Sequence, residues 1–151
     1  MKILLIEDEI SKEQSILQFL HMEYPATSVT VKRSITSGII ELRTREFDFV
    51  LLDMSLPLYD NDDVKYADDN EFETFGGNCV LDELDRRELK CKTIVITAFD
   101  ILGEGINQIA LPQVDSQLME DYPNNFIGSV FYNASSVEWK INLKKLISGG
   151  Q

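Results

Sequence analysis

The chain has 151 residues, 44% hydrophobic and 26% charged, enough for one domain with a real core and typical of a soluble globular protein. Its 14 basic and 26 acidic side chains leave a formal net charge of -12. That argues against direct nucleic-acid binding and against docking on an anionic membrane, both of which need clustered Lys and Arg. No apolar run nears the roughly 20 residues that span a bilayer, and "MKILLIEDE" enters strand-like sequence at once, leaving no room for a leader peptide, so a cytoplasmic protein is expected.

In chain order, "KILLI" (2–6) is an apolar run too brief for a helix. "SKEQSILQFLHMEY" follows, with Ser11 and Gln14 at capping-box spacing and Ile16, Leu17 and Leu20 at helical period. "SVTVK" (28–32) alternates as a strand, and "SITSGIIELRTR" (34–45) sets Ile35, Ile39 and Leu42 on one helical face. "DFVLL" (48–52) is continuously apolar, as a strand covered on both faces should be. Then comes "LYDNDDVKYADDNEFETF" (58–75), whose seven acids and one lysine account for half the net charge. This stretch is read as a solvated loop, with docking of a basic partner as the alternative.

Gly76-Gly77 leads into the amphipathic "NCVLDELDRREL", and "TIVIT" (93–97) is a fourth buried strand. "GINQIALPQVDSQLMEDY" (105–122) is helical in pattern but holds Pro112, which predicts a kink or break there. "FIGSVFY" (126–132) is a fifth strand. "SSVEWKINLKKLI" closes the chain, with Ser135 and Glu138 at capping-box spacing and Trp139, Leu143, Leu146 and Ile147 on one face. Five strands interleaved with five helices predict an α/β fold: a doubly wound parallel sheet covered on both faces. A single domain over 1–151 is expected, with an acidic insertion at about 58–75, an extended segment at about 103–125 and no output module.

Ligands on such sheets sit beyond the carboxyl ends of the strands, where strand order reverses. The first strand ends in Glu7, Asp8 and Glu9, the third in Asp53 and the fourth in Thr97. In the order 2-1-3-4-5, the first and third strands are neighbours, which brings Glu7, Asp8 and Asp53 within reach of one another. Crowded carboxylates repel, and protonation or a hard cation relieves them; Mg²⁺ is the natural occupant. Asp53 would then stand as a nucleophile beside a metal. The other candidates are plain. Cys79 and Cys91 form no metal or disulfide pattern, His21 is mid-helix and remote from the strand ends, and Glu9 is a solvated neighbour.

These residues give the chain its resemblance to the receiver domains of two-component response regulators. The likeness is carried by Glu7-Asp8 after the first strand, "DMSLP" (53–57) after the third and "ITA" (96–98) after the fourth. It implies a flavodoxin-like receiver fold in which Asp53 accepts a phosphoryl group from a partner's phosphohistidine. It further implies Mg²⁺ held by Glu7, Asp8, Asp53 and the backbone carbonyl of Met54, with the Thr97 hydroxyl on the phosphoryl oxygen. A histidine kinase or phosphotransfer protein upstream and a protein effector downstream are the partners so implied.

The chain departs from that family in three places. Tyr132 and Asn133 stand where the family has a phosphoryl-pairing lysine and a proline, and residues 93–139 contain no Lys or Arg. Ser129 stands at the aromatic switch position. Segments 58–75 and 103–125 are longer than usual. The vacancy left by the lysine predicts slower or less coupled phosphorylation, since Tyr132, read chiefly as a packed aromatic, offers only a neutral hydrogen bond. Rival carboxylate chemistries fail by pattern. Ser55 replaces the second Asp of a haloacid-dehalogenase-type phosphatase or a Toprim-type nuclease, and Val64 and Lys65 break an EF-hand register counted from Asp60. The leading reading is a stand-alone phosphorelay receiver; the alternative is a pseudo-receiver that signals by binding without phosphorylation.

Overall fold

The computed structural model describes residues 1–60, 72–73, 76–99, 101–102 and 109–150. Most of the acidic stretch and part of the segment at 103–125 lie outside the described residues. A central sheet holds five strands, β1 (Lys2–Ile6), β2 (Ser28–Lys32), β3 (Phe49–Leu52), β6 (Lys92–Thr97) and β9 (Phe126–Phe131), in the order β2-β1-β3-β6-β9, every pair parallel. Counted within this sheet alone, that is the expected order 2-1-3-4-5. Two antiparallel pairs of two-residue strands lie apart from it: β4 (Leu56–Pro57) with β5 (Phe72–Glu73), and β7 (Ile101–Leu102) with β8 (Ile109–Ala110). Among the described residues, no helix is long and apolar enough to cross a membrane.

Side chains that alternate along each strand divide the core in two. Ile3, Leu5, Phe49, Leu51, Ile94 and Ile96 face α1 (Ile10–Glu23) and α5 (Glu138–Gly150), where Ile16, Phe19, Trp139 and Leu143 meet them. Leu4, Ile6, Val50, Leu52 and Val95 face the other way. They meet α2 (Ile35–Thr44), α3 (Gly77–Arg86) and α4 (Leu111–Asp121) through Leu42, Val80, Leu84 and Leu118. Both strand faces are buried, which is why β1 and β3 read as unbroken apolar runs. Each such side chain contributes about 1.5–3 kcal/mol on burial, so the sheet centre is a rigid platform for whatever projects from its strand ends.

Three helix starts differ from the sequence-based expectations. α1 begins at Ile10, so Ser11 lies inside its first turn, where its hydroxyl donates to Glu9 Oε1 at 2.9 Å instead of capping the helix. At α5, the Glu138 N–H is bonded by Ser136 Oγ (3.1 Å), while the Ser135 N–H donates to Asn133 Oδ1 (3.0 Å). Pro112 neither kinks nor breaks a helix. It lies in the first turn of α4, where its missing N–H has no partner to lose, and the residues just before it are extended in β8. Conversely, Ser34 and Ser37 close a full capping box on α2 that the sequence reading did not single out.

Gly77 fixes the end of β3. Its N–H donates to the Met54 carbonyl at 3.1 Å, and a Cβ there would come within 2.6 Å of both Leu52 Cδ1 and Met54 Sδ. The glycine lets α3 sit directly on the residues flanking Asp53.

Candidate functional site

β2 lies on one side of β1 and β3 on the other, so the strand order reverses beside β1, and the chain leaving β1 and β3 meets there. The Glu7 N–H is held by Lys32 O at 2.9 Å, and the Asp53 N–H points to Ile6 O at 3.4 Å, extending the ladder to both acids. Both side chains are buried, Asp8 is half-buried and Glu9 is exposed. The Glu9 N–H donates to Glu7 Oε1 (3.1 Å) and the Ser55 N–H to Asp53 Oδ1 (3.3 Å), fixing one oxygen of each carboxylate.

A lysine occupies the space between them. Lys12, 0% exposed, enters from the first turn of α1 and directs its ammonium at Glu7 Oε2 (2.7 Å), Asp53 Oδ2 (2.9 Å) and the Ile96 carbonyl (2.6 Å). Its three donors thus have three acceptors. The Tyr132 ring lies 5.9 Å from Nζ and packs on Trp139, with centroids 5.1 Å apart. The strand-end position does lack a lysine, as the sequence says, but the pocket has an ammonium all the same, brought by α1. Sequence reasoning passed over Lys12 because a lysine near a helix start reads as solvated. The missed signal is its spacing, since Lys12, Ile16, Phe19 and Leu20 fall on one helical face, placing an ammonium on the core side of α1.

Burial drives the electrostatics of the pocket. It pushes Glu7 up from its ordinary 4.5 to about 7, against the pull of Lys12, and it raises Asp8 as well. Burial alone would depress Lys12, but the charges of Asp53 and Glu7 and their hydrogen bonds outweigh it, so its net shift is upward. Lys12 supplies one ammonium to Glu7 and Asp53, and the half-buried Asp8 adds a further carboxylate, leaving a surplus of negative charge on hard oxygen donors. That chemistry suits a divalent cation such as Mg²⁺. Among the described residues, no three His, Cys, Asp or Glu side chains are gathered to hold a metal, because Lys12 stands between Glu7 and Asp53. Asp8 would therefore be the point of entry, with the remaining lone pairs of Glu7 and Asp53 beside it.

Thr97, 0% exposed, ends β6; its Oγ1 accepts the Phe99 N–H (3.2 Å) and keeps its own proton to donate. The Tyr132 N–H reaches Thr97 O at 2.7 Å, which puts the end of β9 beside it. Met54 is buried, and its carbonyl already accepts the Gly77 N–H, so one lone pair is left for a metal. Ser129, in β9, donates to Asp115 of α4. His21 is exposed, Cys91 is buried and Cys79 is exposed. Burial pushes the Cys91 thiol up to about 12, as befits a packing residue.

No family model matches the sequence. The uncharacterized protein y4jR of Sinorhizobium fredii is 31% identical over 144 residues, which cover 95% of this chain and 95% of the relative. The Detocs response regulatory protein DtcB of Enterobacter cloacae is 29% identical over 149 residues, or 98% of this chain and 99% of that protein. Solved receiver structures superpose along nearly the whole length. Response regulator TrrA of Thermotoga maritima, crystallised with Mg²⁺ and BeF, has a TM-score of 0.59 at 17% identity, covering 96% of this chain and 97% of that one. A CheY-like receiver domain protein of Methanospirillum hungatei has a TM-score of 0.58 at 18% identity, covering 97% and 94%. The chain has the receiver fold of response regulators. In this fold the acidic pocket lies at the sheet's switch point, with Glu7 and Asp53 joined through Lys12 and Asp8 at the rim.

Proposed function

We propose that this receiver is a cytoplasmic phosphorelay protein that accepts a phosphoryl group on Asp53 from the phosphohistidine of a histidine kinase or phosphotransfer protein, and passes the signal to a protein effector. The observation that carries this reading is the Asp53 carboxylate itself. It is buried at the end of β3, with one oxygen on the Lys12 ammonium and the other on the Ser55 N–H. A fixed carboxylate with cationic charge beside it suits attack on a phosphorus atom, a reaction that gains most from positioning and charge stabilisation. In the transfer, an Asp53 oxygen forms the new O–P bond while the donor's N–P bond breaks and its electron pair stays on the imidazole.

Asp8, with Glu7 and Asp53, would hold Mg²⁺, which when bound offsets charge on the phosphoryl oxygens. Thr97, whose hydroxyl accepts the Phe99 N–H and keeps its proton to give, would donate to a phosphoryl oxygen. The likeness to the Detocs response regulatory protein over almost the full chain supports a signalling role. Because His21 is exposed in the last turn of α1, at the end of that helix away from Lys12 and the pocket, the donor must come from another molecule. The test is intact-mass measurement after incubation with acetyl phosphate and Mg²⁺. One phosphoryl adduct is expected on the native chain and none on Asp53→Asn. An adduct that persists in Asp53→Asn places the acceptor elsewhere, and no adduct on the native chain favours the pseudo-receiver.

A further inference from the structure

We propose that Lys12, on the first helix, is the residue that binds the phosphoryl group on Asp53, in the role for which the family uses a lysine at the end of the last strand. The inference rests on Asp53 being the acceptor and adds a catalytic residue to it. The Lys12 side chain is fully buried and touches the acceptor oxygen Asp53 Oδ2 at 2.9 Å, so its ammonium already stands where phosphoryl oxygens arrive. A third bond, to the Ile96 carbonyl at 2.6 Å, anchors Nζ beside β6, one residue before Thr97. From there Lys12 and Thr97 approach the same group.

The position usually given to lysine holds Tyr132. Its ring lies 5.9 Å from the ammonium and is wedged against Trp139, so it fills the volume that Lys12 has no need of. A lysine kept only for packing would be a costly choice. Burying an ion pair seldom stabilises more than a well-packed apolar side chain of similar size. The chain has no Lys or Arg between 93 and 139 to serve instead.

When the O–P bond forms on Asp53, the acceptor carboxylate loses its charge and the phosphoryl group brings two. Lys12 then has reason to shift its hydrogen bond from the carboxylate to a phosphoryl oxygen. Because Lys12 belongs to α1, that shift pulls on the first helix, whereas a strand-borne lysine pulls on the sheet edge. Phosphorylation would thus be read out at α1 in this receiver.

The experiment compares phosphorylation by acetyl phosphate with Mg²⁺, followed by intact mass, in the native chain, Lys12→Gln, and the double variant Lys12→Gln/Tyr132→Lys, which returns the charge from β9. Amide exchange of residues 10–23 is followed in parallel. The expected result is an adduct on the native chain, at least tenfold slower formation in Lys12→Gln, and recovery of most of the rate in the double variant. Exchange in α1 should change on phosphorylation of the native chain. A native rate in folded Lys12→Gln overturns the assignment of Lys12 while leaving Asp53 as acceptor. No adduct on the native chain overturns the acceptor reading, and this one with it. If Lys12→Gln does not fold, the double variant decides: a folded, phosphorylated double variant upholds the need for one cation at this point, and a folded one that takes no phosphoryl group rejects it.

Discussion

At the scale of single residues, the pocket is governed by where one ammonium comes from. Among the described residues, Lys12 is the only cation on Asp53, and its three donors are all used. A second lysine from β9 is therefore redundant. In the native background, Tyr132→Lys is expected to leave the acetyl-phosphate rate within about twofold. It should also lower the thermal midpoint, because it sets two ammonium groups side by side and removes the ring packed at a tilt on Trp139. A tenfold faster reaction in that variant would show that the pocket lacks a working cation.

At the scale of elements, α2 and α3 are tied by Glu83. Its buried carboxylate takes Arg43 Nε at 2.7 Å from the neighbouring helix, Arg86 from its own, and Arg87 at 3.9 Å. The hydrogen bond from Arg43 holds the Glu83 carboxyl below its ordinary 4.5, burial opposing. A depressed folded-state value means stability that is present above about 4.5 and lost as pH falls through the folded value. Glu83→Gln should cost roughly 1 kcal/mol at pH 7, the charged hydrogen bond being discounted because its arginines reach solvent. The difference from the native chain should close in urea titrations as pH falls from 4.5 through the lower folded-state value; a constant difference across pH would mean that packing, not charge, sets the effect.

The elements themselves were largely legible. Strands buried on both faces announce themselves as short apolar runs, and the acids closing β1 and β3 stand out against them. Helix starts were less so. Ser11 fits the capping pattern but lies inside α1, which has no side-chain cap, and at α5 the Glu138 N–H goes to Ser136 rather than to Ser135. Pro112 could be read as a break or a beginning, and the decision lay in β7–β8 pairing, which no local pattern reveals. Lys12 was hidden for a different reason. Its partners are 5, 41 and 84 residues away in sequence, and only the closed sheet brings them to one point.

At the scale of the whole molecule, parallel order places every chemically active group at one end of the sheet, while the net charge of -12 makes that end receptive to cations. Weak, millimolar-range binding of Mg²⁺ or Mn²⁺ is expected, with most of it lost in Asp8→Asn, since Asp8 is the pocket acid that Lys12 does not hold. Calorimetric titration checks this, and binding indifferent to both Asp8 and Asp53 would place the metal elsewhere. The most direct test of the central claim is to treat the phosphorylated protein with borohydride, which reduces an aspartyl phosphate to homoserine, and to sequence the peptides by mass spectrometry. Homoserine at position 53, dependent on Mg²⁺ and on the phosphodonor, is the expected result. Homoserine at another aspartate, or none at all despite a folded protein and an active donor, would contradict it.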